Sequence, residues 1–107
     1  MEVLTLREEI ILSALVMLDG SSGGAPIRKK IIELTGKEIV YGTLYNLLEY
    51  LKRKGYVTTH KSEPIPVQGG RSKTIYSITK AGESALKETM ALHENIRGRL
   101  NNIEFEL

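Results

Sequence analysis

The chain has 107 residues, 41% hydrophobic and 26% charged, a length suited to one domain and a composition that excludes a disordered tail or a fibre. Its longest apolar stretch, residues 10–18, is broken by Ser13 and ends at Asp19, far short of the roughly 20 residues a membrane span needs. The net charge of +2 hides an asymmetry: residues 1–27 sum to −3, residues 28–80 to +7 and residues 81–107 to −2.

Thr5-Leu6-Arg7-Glu8 has the form of a capping box, and Ile10, Ile11, Ala14, Leu15 and Leu18 recur at helical spacing, so a first helix is expected from about Leu6 to Leu18. Asp19-Gly20-Ser21-Ser22-Gly23-Gly24 then breaks it; without the Gly-Lys-Ser/Thr ending of a phosphate-binding loop this segment reads as a linker. Pro26 suits a first helical turn and Gly36 a C-terminal stop, which gives a short second helix, about Pro26 to Thr35. From Val40 onward Leu44, Leu47, Leu48 and Leu51 stand at i, i+3, i+4 and i+7, and Gly55 ends this third helix. After Gly55 the period changes. Tyr56-Val57-Thr58-Thr59-His60 and Ile75-Tyr76-Ser77-Ile78 read as two antiparallel strands joined by a long loop, 61–74. Thr79 can cap a last helix, along which Leu86, Thr89 or Met90, His93, Ile96, Leu100, Ile103 and Leu107 advance in steps of three and four.

Three helices followed by a hairpin with a basic tip is the element order of a winged helix-turn-helix domain, in which the third helix enters the major groove. The expected class is mainly α with a small β-hairpin: a winged helix-turn-helix over residues 1–79, then a C-terminal dimerisation helix over 80–107. At this point a resemblance carries further. Gly42-Thr43-Leu44-Tyr45-Asn46-Leu47-Leu48-Glu49-Tyr50-Leu51-Lys52-Arg53-Lys54-Gly55-Tyr56-Val57 resembles the third-helix motif of PadR-like transcriptional regulators. Gly70-Arg71-Ser72-Lys73-Thr74-Ile75-Tyr76-Ser77-Ile78-Thr79-Lys80-Ala81-Gly82 resembles the same family's wing strand and the turn into its last helix. The resemblance implies a homodimeric repressor whose last helix, often with the first, builds the dimer interface. Some relatives bind flat aromatic effectors there; this chain has no Trp to stack on one.

Candidate DNA-binding residues are Tyr41, Gly42, Thr43, Tyr45 and Asn46 at the start of helix three, and Lys61, Gly70, Arg71 and Lys73 in the wing. Asn pairs bidentately with adenine, Thr meets a thymine methyl, Tyr hydrogen-bonds phosphate, and an Arg at a hairpin tip suits the narrow minor groove. Thr43 and Asn46 face away from the leucine stripe, whereas Tyr45, beside Leu44, equally suits core packing. Arg28, Lys29 and Lys30 can touch phosphate or simply solvate helix two. The candidate dimer interface is the seam Leu86, Met90, His93, Ile96, Leu100 and Ile103. His60 and His93 have no acid or thiol at ligand spacing, so no metal, cofactor or catalytic constellation is expected.

The expected function is therefore that of a non-enzymatic transcriptional regulator binding double-stranded DNA as a homodimer, with any small-molecule effector left open. The alternative is a winged-helix module that binds a protein instead. With no cysteine, and with Glu2, Glu8 and Glu9 where a secretory signal would be basic, the expected location is the cytoplasm.

Overall fold

The expected order of elements is present, with one strand more. A computed structural model of the chain, describing residues 3–62 and 73–104, contains α1 (Leu6–Met17), β1 (Ser21–Ser22), α2 (Gly24–Thr35), α3 (Tyr41–Arg53), β2 (Val57–Lys61), β3 (Thr74–Ile78) and α4 (Lys80–Leu100). Gln68, Gly69, Gly70 and Arg71 of the wing tip, and Leu107, lie outside the described residues.

The additional strand corrects the reading of the glycine-rich segment as a linker. Asp19 and Gly20 both take positive φ, 63° and 89°, and the Gly20 N–H donates to the Leu15 carbonyl at 2.8 Å, which closes α1 and reverses the chain. The Ile78 N–H then donates to the Gly20 carbonyl at 2.9 Å, and Ser21 and Ser22 pair antiparallel with Ser77 and Tyr76. Two strand residues are too few for sequence alternation to reveal; the pairing depends on a partner more than fifty residues away. Sheet order is β1-β3-β2, so β3 lies in the middle, with Thr59 opposite Tyr76 and Val57 opposite Ile78. Helix α2 also begins earlier than expected, at Gly24, and its C-cap Gly36 takes φ 71° as the stop signal requires.

Ile11, Leu12 and Leu15 of α1, Ile27 and Ile31 of α2, and Leu44, Leu48 and Leu51 of α3 form the core, closed by Tyr56, Val57 and Tyr76 of the wing and by Ala85 and Leu86 of α4. Each fully buried Leu or Ile side chain is worth about 1.5–3 kcal/mol, so the α3 stripe alone anchors that helix firmly. Gly55, at φ 84°, lets the Tyr56 N–H reach back to the Leu51 carbonyl at 3.0 Å and turns α3 directly into β2. Thr79 caps α4 by accepting the Gly82 N–H at 3.0 Å and donates its hydroxyl to the Gly55 carbonyl at 2.7 Å. Gly82 is needed there, because a side chain would run into the Tyr56 carbonyl.

The two halves of α4 have different environments. Gly82, Ala85, Leu86 and Thr89 are buried, with the Thr89 hydroxyl accepting the Leu4 N–H at 3.1 Å and donating to the Ala85 carbonyl at 2.8 Å. Leu86, expected at a dimer interface, is 6% exposed within its own chain and therefore belongs to the core. Beyond Thr89 the helix leaves the body of the domain, and the exposed apolar seam begins at Met90.

One ion pair is built into the interior. Glu8, 2% exposed, accepts the Thr5 N–H at 2.8 Å while the Thr5 hydroxyl accepts the Glu8 N–H at 3.2 Å, which completes the capping box. Its other oxygen lies 3.1 Å from the Lys54 ammonium at the C-cap of α3. Burial favours the neutral carboxyl, but the Thr5 N–H and the Lys54 ammonium outweigh it, so Glu8 titrates below its ordinary value of 4.5. A depressed folded-state value stabilises the fold above pH 4.5, and that stability is lost as pH falls through the lower value. Glu8→Gln should cost about 1.5–3 kcal/mol at pH 7, by loss of the charge-assisted bonds, and much less at low pH. Urea unfolding at pH 7 and pH 3 measures both: a penalty that does not shrink on acidification removes the charge from the explanation.

Candidate nucleic-acid interface

Along α3 the residues opposite the leucine stripe, Gly42, Asn46, Glu49 and Arg53, are exposed in one line. A Cβ on Gly42 would meet nothing within 4 Å, so this helix start is open to an approaching surface. Asn46 is thus placed as the sequence pattern expects. Thr43 is not fully turned outward: it is half-buried and lines, with Leu6, Ile10, Ile39 and Leu47, a groove between α1 and α3. Along this line Glu49 places an acid one turn beyond Asn46 and Arg53 a base one turn beyond that.

Tyr41 and Tyr45 are exposed but not isolated. Their rings stack at 5.8 Å between centroids and 24° between planes, and Tyr45 stacks in turn on Tyr76 of β3 at 6.4 Å and 29°. The Arg28 guanidinium lies 4.9 Å from the centroid of the Tyr41 ring. Arg28 Nε also donates to the Ile39 carbonyl at 2.6 Å, and its terminal nitrogen is 4.0 Å from Glu38. The basic run of α2 is therefore split: Arg28 holds the α2–α3 turn, Lys30 pairs with Glu33 at 2.9 Å, and Lys29 is exposed. Burial lifts the Tyr76 phenol above its ordinary value, with Tyr45 and Glu49 adding to the shift, so Tyr76 stays neutral.

The base of the wing continues the sheet. Ser62 N–H donates to the Lys73 carbonyl at 2.7 Å, and the Lys73 N–H donates to the Ser62 hydroxyl at 2.9 Å. Lys61 and Lys73 are both exposed, the Lys61 ammonium donating to the Thr74 hydroxyl at 2.9 Å. Lys73 lines one cleft with Tyr45, Tyr76 and the start of α2 at Gly23-Gly24-Ala25-Pro26. The base of the wing and the first half of α3 are thereby brought side by side, although Tyr45 and Lys73 lie nearly thirty positions apart. The Tyr76 and Arg28 roles escaped the sequence reading: a tyrosine in a strand and an arginine in a short helix carry no periodic signal of a shared stack.

The remaining sequence candidates lie elsewhere. Met90, Ile96, Leu100 and Ile103 expose large apolar surface along and just beyond α4, with Ile103 past the helix end. His93 lies on α4 with its Nε2 3.0 Å from Glu9 Oε1 of α1. Among the described residues there is no cluster of His, Cys, Asp or Glu able to hold a metal ion, and no helix is long and apolar enough to cross a membrane.

Comparison with known proteins gives this arrangement a family. The model of the transcriptional regulator PadR-like family matches residues 11–88, most of the chain. A PadR-like transcription factor from Bacteroides fragilis is similar at 26% identity and a TM-score of 0.71, over 92% of this chain and 94% of that one. A transcriptional regulator from Clostridium thermocellum is similar at 26% identity and a TM-score of 0.69, over 92% of each chain. The Bacillus subtilis PadR, solved in complex with operator DNA, shares the fold at 20% identity and a TM-score of 0.65; the match covers 80% of this chain and about half, 47%, of that protein. No curated protein sequence matches. The open line on α3, the paired wing behind it and these relatives, which are regulators and not enzymes, lead to one conclusion: the chain belongs to the PadR-like family of transcriptional regulators and has its DNA-binding winged-helix fold.

Proposed function

We propose that the protein is a repressor that occupies a palindromic operator as a homodimer, reading bases with the start of α3 and holding the DNA backbone with the wing. The observation that carries this reading is the cleft that sets Lys73 of the wing beside Tyr45 of α3, so that a groove-entering helix and a phosphate-binding cation face one side. The operator complex of the Bacillus subtilis relative supports it. Base reading falls to Asn46 with the open backbone at Gly42, and the exposed edge of Tyr41 offers a hydroxyl to phosphate. Lys61 and Lys73 hold the DNA backbone, and the tip residues Gly70 and Arg71 extend that hold. A protein-binding winged helix is the competing reading, and salt separates the two. Replacing Lys61 and Lys73 with Ala should lower the slope of log affinity against log salt by about one for each phosphate no longer neutralised, on every duplex. Salt-insensitive binding by the unaltered protein assigns the surface to a protein partner instead.

Asn46→Ala should relax preference at one base pair of each half-site by about 1–3 kcal/mol and leave non-specific affinity intact. Sites selected from random DNA by both proteins, then compared in competition binding, measure this. A uniform loss on all duplexes assigns Asn46 to phosphate or to folding.

The second copy covers the distal half of α4. Met90, Ile96, Leu100 and Ile103 form an apolar seam that stays exposed within its own chain, and Val16 and Met90 edge an apolar cleft of about 450 Å³ that continues the seam onto α1. Two-fold symmetry buries each position twice and fixes the two α3 helices about one turn of DNA apart, roughly 34–36 Å. Ile96→Asp with Leu100→Asp should yield folded monomers by circular dichroism and sedimentation, with operator affinity sharply reduced. A double variant that stays dimeric moves the interface elsewhere.

A further inference from the structure

The stack Arg28–Tyr41–Tyr45–Tyr76 runs continuously from α2 through α3 to the central strand of the sheet. We infer that it is a positioning spine: it fixes the wing relative to the recognition helix, and Arg28, Tyr45 and Tyr76 serve sequence selection through this placement rather than by touching DNA. The inference rests on the DNA-reading function proposed above and assigns a division of labour within it.

Four observations converge. Tyr41 and Tyr45 stack on each other, with Arg28 over the Tyr41 ring and Tyr76 stacked on Tyr45, so the two rings are held in place although 44% and 41% of their surface stays exposed. The spine ends on fixed points: Arg28 is bonded to the Ile39 carbonyl of the α2–α3 turn, and Tyr76 is 9% exposed in β3, paired with both Thr59 and Ser22. Holding Tyr76 therefore holds all three strands. Space for the spine is reserved in the backbone, since a Cβ on Gly24 would stand 2.6 Å from the Tyr45 hydroxyl oxygen. Finally, α3 passes into β2 through the bonded turn at Gly55, so the stack adds a second tie between helix and wing at the opposite end of α3. Stacked rings hold that spacing because offset aromatic pairs are favourable only over a narrow range of separation and angle.

Helix and wing bind one stretch of duplex together, so an error in their separation weakens both halves of the specific complex at once. Non-specific binding, which needs only cations near phosphates, tolerates the error. The spine therefore governs the ratio of specific to non-specific affinity.

The test uses the full chain, an operator selected from random DNA and an unrelated duplex of equal length. Tyr45→Phe keeps the ring and removes the hydroxyl; Tyr45→Leu removes the ring. The spine predicts that Tyr45→Phe keeps the specific-to-non-specific ratio, whereas Tyr45→Leu lowers it about 3- to 10-fold with unchanged non-specific affinity and salt slope. Arg28→Lys, which keeps the charge but loses the flat guanidinium and its Nε bond, should lower the ratio in the same way. Hydrogen exchange gives an independent readout: Tyr45→Leu should speed exchange of the paired amides of β3 while those of α3 in the core stay protected. Equal loss from Tyr45→Phe and Tyr45→Leu would show the hydroxyl contacting DNA and overturn the proposal. So would a Tyr45→Leu protein with both ratio and exchange unaltered. If the unaltered protein shows no operator preference while Tyr45→Leu still speeds exchange in β3, the DNA-reading function fails and the spine is only a structural brace.

Discussion

The buried carboxylate of Glu8 is the constraint on which the arrangement of the helices depends. It caps α1 through Thr5 and meets Lys54 at the last turn of α3, so one side chain ties the start of the first helix to the end of the third. An isolated carboxylate this deeply buried would be strongly disfavoured; it is tolerated because Thr5 and Lys54 satisfy both oxygens. Lys54 is held in turn between Tyr50 and Tyr56, with its ammonium 5.2 Å and 5.4 Å from their ring centroids. Apolar packing of Leu44, Leu48 and Leu51 fixes how deeply α3 is seated, but such packing is non-directional. The ion pair adds the register along the helix axis that a stripe of leucines leaves loose.

At the other end of α3 the same problem is solved with aromatic rings. The tyrosine stack meets α2 on one side and the sheet on the other, so α3 is pinned near its C-terminus by charge and near its N-terminus by π-stacking. Between these two clamps the outward line at Gly42, Asn46, Glu49 and Arg53 is turned away from the core. The separation suits the reading role proposed for α3, because side chains committed to packing cannot also adapt to base edges.

The last helix divides its residues by depth. Up to Thr89 it is part of the domain and even receives the backbone of Leu4; beyond Thr89 it carries apolar side chains into solvent. One turn past Thr89, His93 still meets Glu9 of α1, 3.0 Å away. An element that is core at one end and exposed and apolar at the other ties whatever covers its free half to the domain, which suits the dimer role proposed for it.

Local rules determined much of this protein. The Thr5–Glu8 capping box, the left-handed stops at Gly36 and Gly55, the Thr79 cap and the leucine stripe of α3 are legible because each depends on neighbours within one or two turns, and the family resemblance followed from two such motifs. Asn46 was legible for the same reason: helical period alone sets it opposite the stripe. Contacts between distant residues were decided only by tertiary structure. Ser21 and Ser22 become a strand because β3 offers them an edge, Leu86 turns inward because α4 starts its course against α1 and the sheet, and Thr43 is half-covered by the approach of α1. Arg28 became a turn clamp and Tyr76 part of a stack because folding places α2, α3 and β3 on one face. Periodicity reports which side of an element is buried; which partner it meets there depends on packing across the whole chain.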